Sequence, residues 1–156
     1  MSATKLKGLL EERKSTVSFA ESCTGGLVSY TLTSLPGSSS VFRGSVVAYS
    51  DDLKESILKV DPKEIQTRGA VSEEVATAMA RSVREVTASD LGVAVSGIAG
   101  PDGGSEGKPV GLVFIAASDG RHTICERRLF PGDREDVRRA ASERALAVAI
   151  EVLEME

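Results

Sequence analysis

The chain is poor in the side chains from which most hydrolytic and metal centres are built. Its 156 residues include two cysteines, one histidine and no tryptophan. The cysteines, Cys23 and Cys125, form no C-x-x-C pair, which argues against a disulfide framework and against a zinc site. No G-x-S-x-G motif occurs, and His122 falls in a predicted edge hairpin, so a Ser-His-Asp triad is not expected. We expect neither a metal nor a cofactor.

Long apolar runs and excess positive charge are also missing. No run approaches the ~18–20 residues that cross a bilayer, and the charged amino-terminal stretch has no signal-peptide core. The net charge is −4, whereas nucleic-acid binders usually carry a basic surface. We therefore expect a cytoplasmic protein that uses neither a membrane nor a nucleic acid as partner, in a reducing compartment that suits free cysteines.

Hydrophobic periodicity predicts alternating helices and strands. Helices are predicted at 3–14, 24–34, 51–60, 72–88 and 133–155, and strands at 16–20, 45–50, 91–100, 110–118 and 122–130. The order βαβα, then a helix, then β-β-β-α, predicts an α/β fold. We expect a three-layer α/β/α sandwich with a mixed β-sheet, formed by a single domain over residues 1–156.

Two glycine-rich segments follow predicted strands. The first, A-E-S-C-T-G-G at 20–26, leads into a predicted helix, and the second, S-G-I-A-G-P-D-G-G, covers 96–104. Free amides at such turns bind anions, although glycines serve ordinary turns equally well. We predict a substrate-binding cradle whose members are Ser22, Thr24, Gly25, Gly26, Ser96, Gly97 and Gly100.

Two nucleophile arrangements remain open on the residues alone. A serine from the run at 38–40 can be activated by a neutral lysine, with Lys54 and Tyr49 nearby in sequence. Alternatively, Glu21 and Cys23 with some lysine could imitate the Glu-Lys-Cys set of nitrilase-type amidases, although a buried free cysteine is commonly inert.

Five motifs, taken together and in order, carry a family resemblance over about residues 5–154. They read AESCTGGLVSYTLTSLPGSS, FRGSVVAYSDDLK, GAVSEEVATAMA, VSGIAGPDGGSEGKPVGLVFIA and FPGDREDVRRAA. The chain resembles the CinA C-terminal domain family, also known as the nicotinamide-nucleotide amidases or NMN deamidases. The resemblance implies hydrolysis of the carboxamide of nicotinamide mononucleotide, which yields nicotinic acid mononucleotide and ammonia in pyridine nucleotide recycling.

The resemblance also implies roles for individual residues. It makes Ser39 the nucleophile, Lys54 the general base and Tyr49 a further catalytic residue, and it adds Ser22 and Arg134 to the site. It implies no metal, and we expect a homo-oligomer that acts on a small-molecule nucleotide. Many relatives carry a large additional domain that resembles molybdopterin-binding proteins, and none of its sequence is present here.

This chain departs from the family pattern near the predicted dyad. Asp51 stands where the family usually has asparagine, and a carboxylate there is expected to raise the pKa of Lys54 and weaken it as a base. Ser40 adds a third serine, so the nucleophile can be shifted by one position. The competing hypothesis is a non-catalytic nucleotide-binding module, which would keep the glycine segments and Arg134 and would not need Lys54.

Overall fold

The protein is built on one five-stranded mixed sheet. The computed structural model describes residues 2–155. The strands are β1 (Val17–Glu21), β2 (Phe42–Val47), β3 (Leu91–Gly97), β4 (Leu112–Ser118) and β5 (Thr123–Leu129). They lie in the order β2-β1-β3-β4-β5. β1 is parallel to both β2 and β3, whereas β3, β4 and β5 pair antiparallel.

Helices cover both faces of this sheet. They are α1 (Ser2–Arg13), α2 (Leu27–Thr33), α3 (Asp51–Ser56), α4 (Pro62–Arg68), α5 (Glu73–Thr87) and α6 (Arg134–Leu153). One hydrophobic cluster joins α1, α2 and α6 to one face of the sheet, and a second joins α5 and the α3–α4 segment to the other. Phe19 faces the first cluster and Ala20 the second, because successive strand residues point to opposite faces. The predicted three-layer α/β/α fold is confirmed.

Several elements differ from the predictions, and the helix predicted at 51–60 ends at Ser56. The strand predicted at 45–50 is Phe42–Val47, since its register against β1 pairs Phe42 with Val17. The second helix starts at Leu27, because Gly25 and Gly26 have left-handed backbone angles, with φ of 58° and 109°. The helix α4 was not predicted, although Asp61 as N-cap followed by Pro62 is a start signal.

The parallel strands β1, β2 and β3 bring three connecting segments to one edge of the sheet. These segments are 22–26, 48–50 and 98–109. Ligands of open α/β sheets bind beyond the carboxyl ends of such strands, so this edge is where a site is expected. No helix within residues 2–155 combines the length and the hydropathy that a bilayer span requires.

Candidate active site

Lys54 is a buried lysine whose terminal amine has three oxygen partners. The residue is 1% exposed, and its Nζ lies 2.9 Å from the carbonyl oxygen of Ala48 and 3.2 Å from that of Tyr49. The third partner is Ser22 Oγ, at 3.1 Å. Ser22 directly follows β1 and Lys54 lies in α3, just beyond β2. Two adjacent parallel strands therefore bring a lysine and a serine hydroxyl together.

Burial lowers the pKa of Lys54. Removal of the ammonium group from water disfavours its charged form and is the largest cause of the shift. The Asp51 carboxylate, with Oδ1 at 3.8 Å from Nζ, acts in the opposite direction and raises the pKa. The Asp51 side chain is 59% exposed, so water screens its charge. The expectation that Asp51 weakens Lys54 as a base has the right sign, but burial outweighs it.

The Ser22–Lys54 pair lines a cavity of about 260 Å³. From the predicted site, this cavity collects Ser22, Tyr49, Lys54, Ser96, Gly97, Gly100 and Arg134. Cys23 and Asp51 line it as well. These residues are far apart in sequence. Most of them lie at or just after the carboxyl ends of parallel strands, and those ends meet on one side of the sheet. Arg134 comes from the start of α6.

Ser39 lies at the opposite edge of the sheet. It belongs to a short 3-10 turn, Ser38–Ser40, which precedes β2, whereas Lys54 follows β2. The six residues of β2 span about 20 Å. Within this chain, the predicted Ser39–Lys54 dyad is therefore not formed, and Ser22 is the serine next to Lys54.

The start of α2 is already occupied by a carboxylate of the chain itself. Glu21 is fully buried, and its carboxylate accepts hydrogen bonds from the amides of Gly26, Val28 and Ser29 and from the Ser29 hydroxyl. These amides are the donors that an anion would otherwise use. The prediction that the helix start cradles a ligand anion is therefore wrong, and Gly25 and Gly26 serve the turn that precedes the helix. Thr24 also lies outside the cavity lining.

Cys23 has the properties of a structural cysteine. It is buried, and burial is the largest cause that raises the pKa of its thiol to about 11. A thiol needs its thiolate form to attack a carbonyl. Glu21 binds the backbone of α2 and is not free to serve as a base. The nitrilase-like alternative built on Glu21 and Cys23 is therefore contradicted.

Arg134 stands where this cavity meets a larger one. Its Nη1 donates to the Gly100 carbonyl at 2.7 Å, and its Nη2 donates to the Tyr49 hydroxyl at 2.8 Å. The neighbouring cavity, of about 620 Å³, shares Arg134 and Ala99 with the first and has Pro101 among its other walls. The smaller cavity, which contains Ser22 and Lys54, thus adjoins a larger cavity, and the Arg134 guanidinium lies at their boundary.

Comparison with known proteins identifies the family. A profile of the CinA C-terminal domain matches residues 1–153. The chain belongs to the CinA C-terminal domain family. A competence-damage inducible protein of Desulforudis audaxviator is 53% identical over 130 residues, which is 83% of this chain and 32% of that relative. A CinA-like protein of Koribacter versatilis is 51% identical over 137 residues, which is 88% of this chain and 33% of the relative.

The chain thus spans about one third of the length of these curated relatives. A solved structure agrees with the fold: the competence/damage inducible protein CihA of Agrobacterium tumefaciens superposes with a TM-score of 0.94 at 37% identity. That alignment covers 97% of this chain and 93% of the other. The names of these relatives state no reaction, so membership in the CinA family alone does not define a substrate.

The end of β3 contributes a hydrogen-bond acceptor to this cavity, and its backbone packs closely against β4. Ser96 is buried, and its hydroxyl donates to the carbonyl of Ala70 at 2.7 Å. Because the hydroxyl proton of Ser96 is used in that bond, its oxygen can only accept further hydrogen bonds. A Cβ at Gly97 would lie 2.8 Å from the carbonyl oxygen of Leu112, so β4 itself requires glycine there.

Arg138 also lines the larger cavity and was not predicted from the sequence. Its Nε donates to the Cys23 carbonyl at 3.1 Å and its Nη2 to the Thr24 carbonyl at 2.9 Å. It lies one helical turn beyond Arg134 in α6, and residues four apart share a helix face. That spacing was the signal available in the motif FPGDREDVRRAA.

Proposed function

We propose that the chain is an amidohydrolase that converts nicotinamide mononucleotide to nicotinic acid mononucleotide and ammonia. The reaction would use Ser22 as nucleophile and Lys54 as base, through a covalent acyl-enzyme. The observation that carries the proposal is the 3.1 Å contact between Lys54 Nζ and Ser22 Oγ inside a buried site. The nicotinamide substrate comes from the family resemblance, and the geometry supports the Ser-Lys chemistry.

The contacts of Lys54 suit a base directed at Ser22. When the ammonium loses one proton, the neutral amine keeps two N–H groups and gains a lone pair. The carbonyls of Ala48 and Tyr49 can only accept, so they retain the two N–H groups. The lone pair is then left for the remaining partner, the Ser22 hydroxyl. Burial favours this neutral form because it lowers the pKa of Lys54.

The acylation step balances with these two residues. Lys54 takes the proton of Ser22 Oγ as Oγ bonds to the carboxamide carbon, and the carbonyl electron pair moves onto oxygen. When the carbonyl re-forms, the C–N bond breaks and the leaving nitrogen takes the proton from Lys54, so ammonia departs. In deacylation, Lys54 takes a proton from water as the water oxygen attacks the ester carbon, and returns it to Ser22 Oγ as that bond breaks.

The second compartment supports a substrate with a bulky anionic part. A carboxamide fits beside Ser22 and Lys54, and the remainder of a nucleotide needs the adjoining volume of about 620 Å³. Both cavities together are within the range of pockets that hold small-molecule ligands. Arg134 at the boundary is a guanidinium suited to a phosphate. Tyr49 orients Arg134 in this proposal through its hydroxyl.

One assay tests the function. The purified chain is incubated with nicotinamide mononucleotide, and ammonia and nicotinic acid mononucleotide are measured. We expect equal amounts of both products and none with Ser22→Ala. Binding of the mononucleotide without turnover would overturn the enzyme proposal and favour the nucleotide-binding module. Release of ammonia only from other amides in a substrate panel would overturn the substrate and retain the Ser-Lys chemistry.

A further inference from the structure

Ser96 and Ser22 are neighbours at the ends of two parallel strands. β1 pairs with β3 so that Ala20 lies opposite Ala94, and both face the second hydrophobic cluster. Side chains two residues further along a strand point to the same face. The pairing continues beyond β1, since the Ser22 amide donates to the Val95 carbonyl at 3.0 Å. Paired strands lie about 4.8 Å apart, so Ser96 lines the smaller cavity directly beside Ser22.

The Ser96 hydroxyl is an acceptor in this cavity because its proton is used elsewhere. It donates to the Ala70 carbonyl at 2.7 Å, and a carbonyl can only accept. Among residues 2–155, no other donor lies within hydrogen-bond distance of that carbonyl, and none donates to the Ser96 oxygen. Turning the proton toward a ligand would leave the Ala70 carbonyl unpaired, which is costly once the ligand has displaced water. Ser96 is 1% exposed, so the fold fixes this arrangement.

The substrate and the product of the proposed reaction differ in what they offer to such an acceptor. A carboxamide carries two N–H donors on its nitrogen, whereas the ionised acid carries two acceptor oxygens and a negative charge. An acceptor oxygen binds the amide nitrogen and repels the oxygens of the acid. Rotation of the carboxylate does not relieve the repulsion, because its two oxygens are equivalent.

We propose that Ser96 is a specificity-determining residue that accepts a hydrogen bond from the carboxamide nitrogen and disfavours the carboxylate product. The inference rests on the proposed hydrolysis of a carboxamide, and it does not depend on which side chain attacks. A buried group that pairs with a substrate N–H discriminates against an analogue without that N–H, because the buried group is then unpaired. The same bond orients the planar amide with its nitrogen toward β3.

Three ligands separate the effect of the donor from that of charge. Nicotinamide mononucleotide has the N–H donors, nicotinic acid mononucleotide has a charged oxygen in their place, and 3-acetylpyridine mononucleotide has a neutral methyl group of similar size. Calorimetry measures their dissociation constants in Lys54→Met, so that the amide is not hydrolysed and no ammonium attracts the acid. We expect the amide to bind about 10-fold more tightly than the ketone, and the acid to bind most weakly.

Replacement of Ser96 should remove this discrimination. When Ser96→Ala is added to Lys54→Met, the amide should bind about 10-fold more weakly, and the ketone and the acid at least as tightly as before. Ser96→Thr keeps the hydroxyl and should keep the order of affinities. The matched control is Ser18→Ala, which removes a buried serine whose hydroxyl also donates to a carbonyl, that of Val83, outside the cavity lining. It should leave all three constants unchanged.

A second measurement keeps Lys54. The acid and the ketone are used as competitive inhibitors of nicotinamide mononucleotide hydrolysis, and their inhibition constants are compared with KM. Ser96→Ala should raise KM about 10-fold and leave both inhibition constants unchanged or lower. This measurement decides if Lys54→Met does not fold by circular dichroism, and calorimetry on the unsubstituted chain decides if there is no turnover. If Ser96→Ala does not fold, Ser96→Cys, whose thiol is a weak acceptor, is judged on the same criteria.

The outcomes distinguish this inference from the proposed function. Equal weakening of all three ligands, or no change in any of them, would overturn the role of Ser96 while the amidase assay stands. Selective loss of amide binding in Ser96→Ala, without turnover in the unsubstituted chain, would overturn the amidase and retain the selective site. A chain that binds none of the three mononucleotides would overturn both.

Discussion

Lys54 Nζ lies 3.1 Å from Ser22 Oγ, although 32 residues of sequence separate the two. The contact exists because Ser22 follows β1, Lys54 follows β2, and these strands are parallel neighbours. Within this chain, Ser22 is therefore the serine in contact with Lys54, and the serines before β2 lie at the other end of that strand.

Replacement of the two candidate serines gives opposite results. Ser22→Ala should reduce ammonia release from nicotinamide mononucleotide at least about 1000-fold, because it removes the nucleophile. Ser39→Ala should keep activity within about threefold, since Ser39 is exposed and about a strand length from Lys54. Steady-state assays of both variants make the comparison, with thermal unfolding as the folding control. An inactive Ser39→Ala beside an active Ser22→Ala would restore the original assignment.

The pH dependence of the reaction should follow the charge of Lys54. A general base acts when neutral, so kcat/KM should rise as pH rises through the pKa of Lys54 and then level off. Asp51 favours the ammonium form, so Asp51→Asn should lower the pKa of Lys54 further and move the rising limb to lower pH. Asp52→Asn, at the next and likewise exposed position, is the control. If the rising part of the pH profile moved equally in both variants, or moved to higher pH in Asp51→Asn, Lys54 would not be the titrating base.

Substrates with and without phosphate test Arg134. Arg134→Ala should raise KM for nicotinamide mononucleotide about 10- to 100-fold, since a charge-assisted hydrogen bond to phosphate is lost. Nicotinamide riboside has no phosphate, so its kcat/KM should be the same in the wild type and the variant. The measurement is kcat/KM for both substrates. An equal loss on both substrates would mean that Arg134 supports the site through Tyr49 and Gly100 rather than through phosphate.

Cys23 should be dispensable for turnover. A thiol with a pKa of about 11 is thiolate in only about one molecule in ten thousand at pH 7. Cys23→Ala should therefore retain activity within about threefold, and iodoacetamide should alkylate folded protein slowly at neutral pH. Urea-unfolded protein, in which the thiol is exposed, serves as the control for alkylation. Rapid alkylation of Cys23 in the folded state that also stops turnover would revive the cysteine alternative.

Glu21 should matter chiefly for stability. Its buried carboxylate accepts four hydrogen bonds from the start of α2. Glu21→Gln replaces one acceptor oxygen by an N–H donor that faces other donors, which should lower the free energy of unfolding by about 2–4 kcal/mol. Urea denaturation measures it, with Glu12→Gln on the exposed face of α1 as the control. A loss of less than about 1 kcal/mol would contradict the capping role.

The fold was within reach of the sequence because its signals are local. The alternation in 122–130 predicted β5, and the N-cap Ser72 with apolar residues at helical spacing predicted α5. The β-branched and aromatic residues at 16–20 predicted β1, and the apolar run at 91–100 predicted β3. The shift of β2 arose because strand register depends on the partner strand, which a single segment does not reveal.

Motifs also identified many residues of the site, but they did not show which side chains contact each other. Lys54, Tyr49, Ser96 and Arg134 were named from their motifs, and the structure brings them into one cavity with Ser22. Ser39 was named as nucleophile from the family resemblance and stays a prediction, although within this chain a whole strand lies between it and Lys54. The carboxylate that fills the start of α2 was read as a possible catalytic group, because sequence does not say which way Glu21 points.

By itself, then, the sequence determined the order of the elements, their layers and most of the polar residues at one edge of the sheet. Periodicity, caps and turn residues are properties of neighbouring positions, so a single chain displays them directly. Only the tertiary structure shows that Ser22 contacts Lys54 and that Glu21 accepts hydrogen bonds from the first amides of α2. It also shows that Arg138 binds the carbonyl of Cys23, in the turn before α2. Those contacts depend on the parallel pairing of β1 with β2 and on the packing of α6, and burial within that packing lowers the pKa of Lys54.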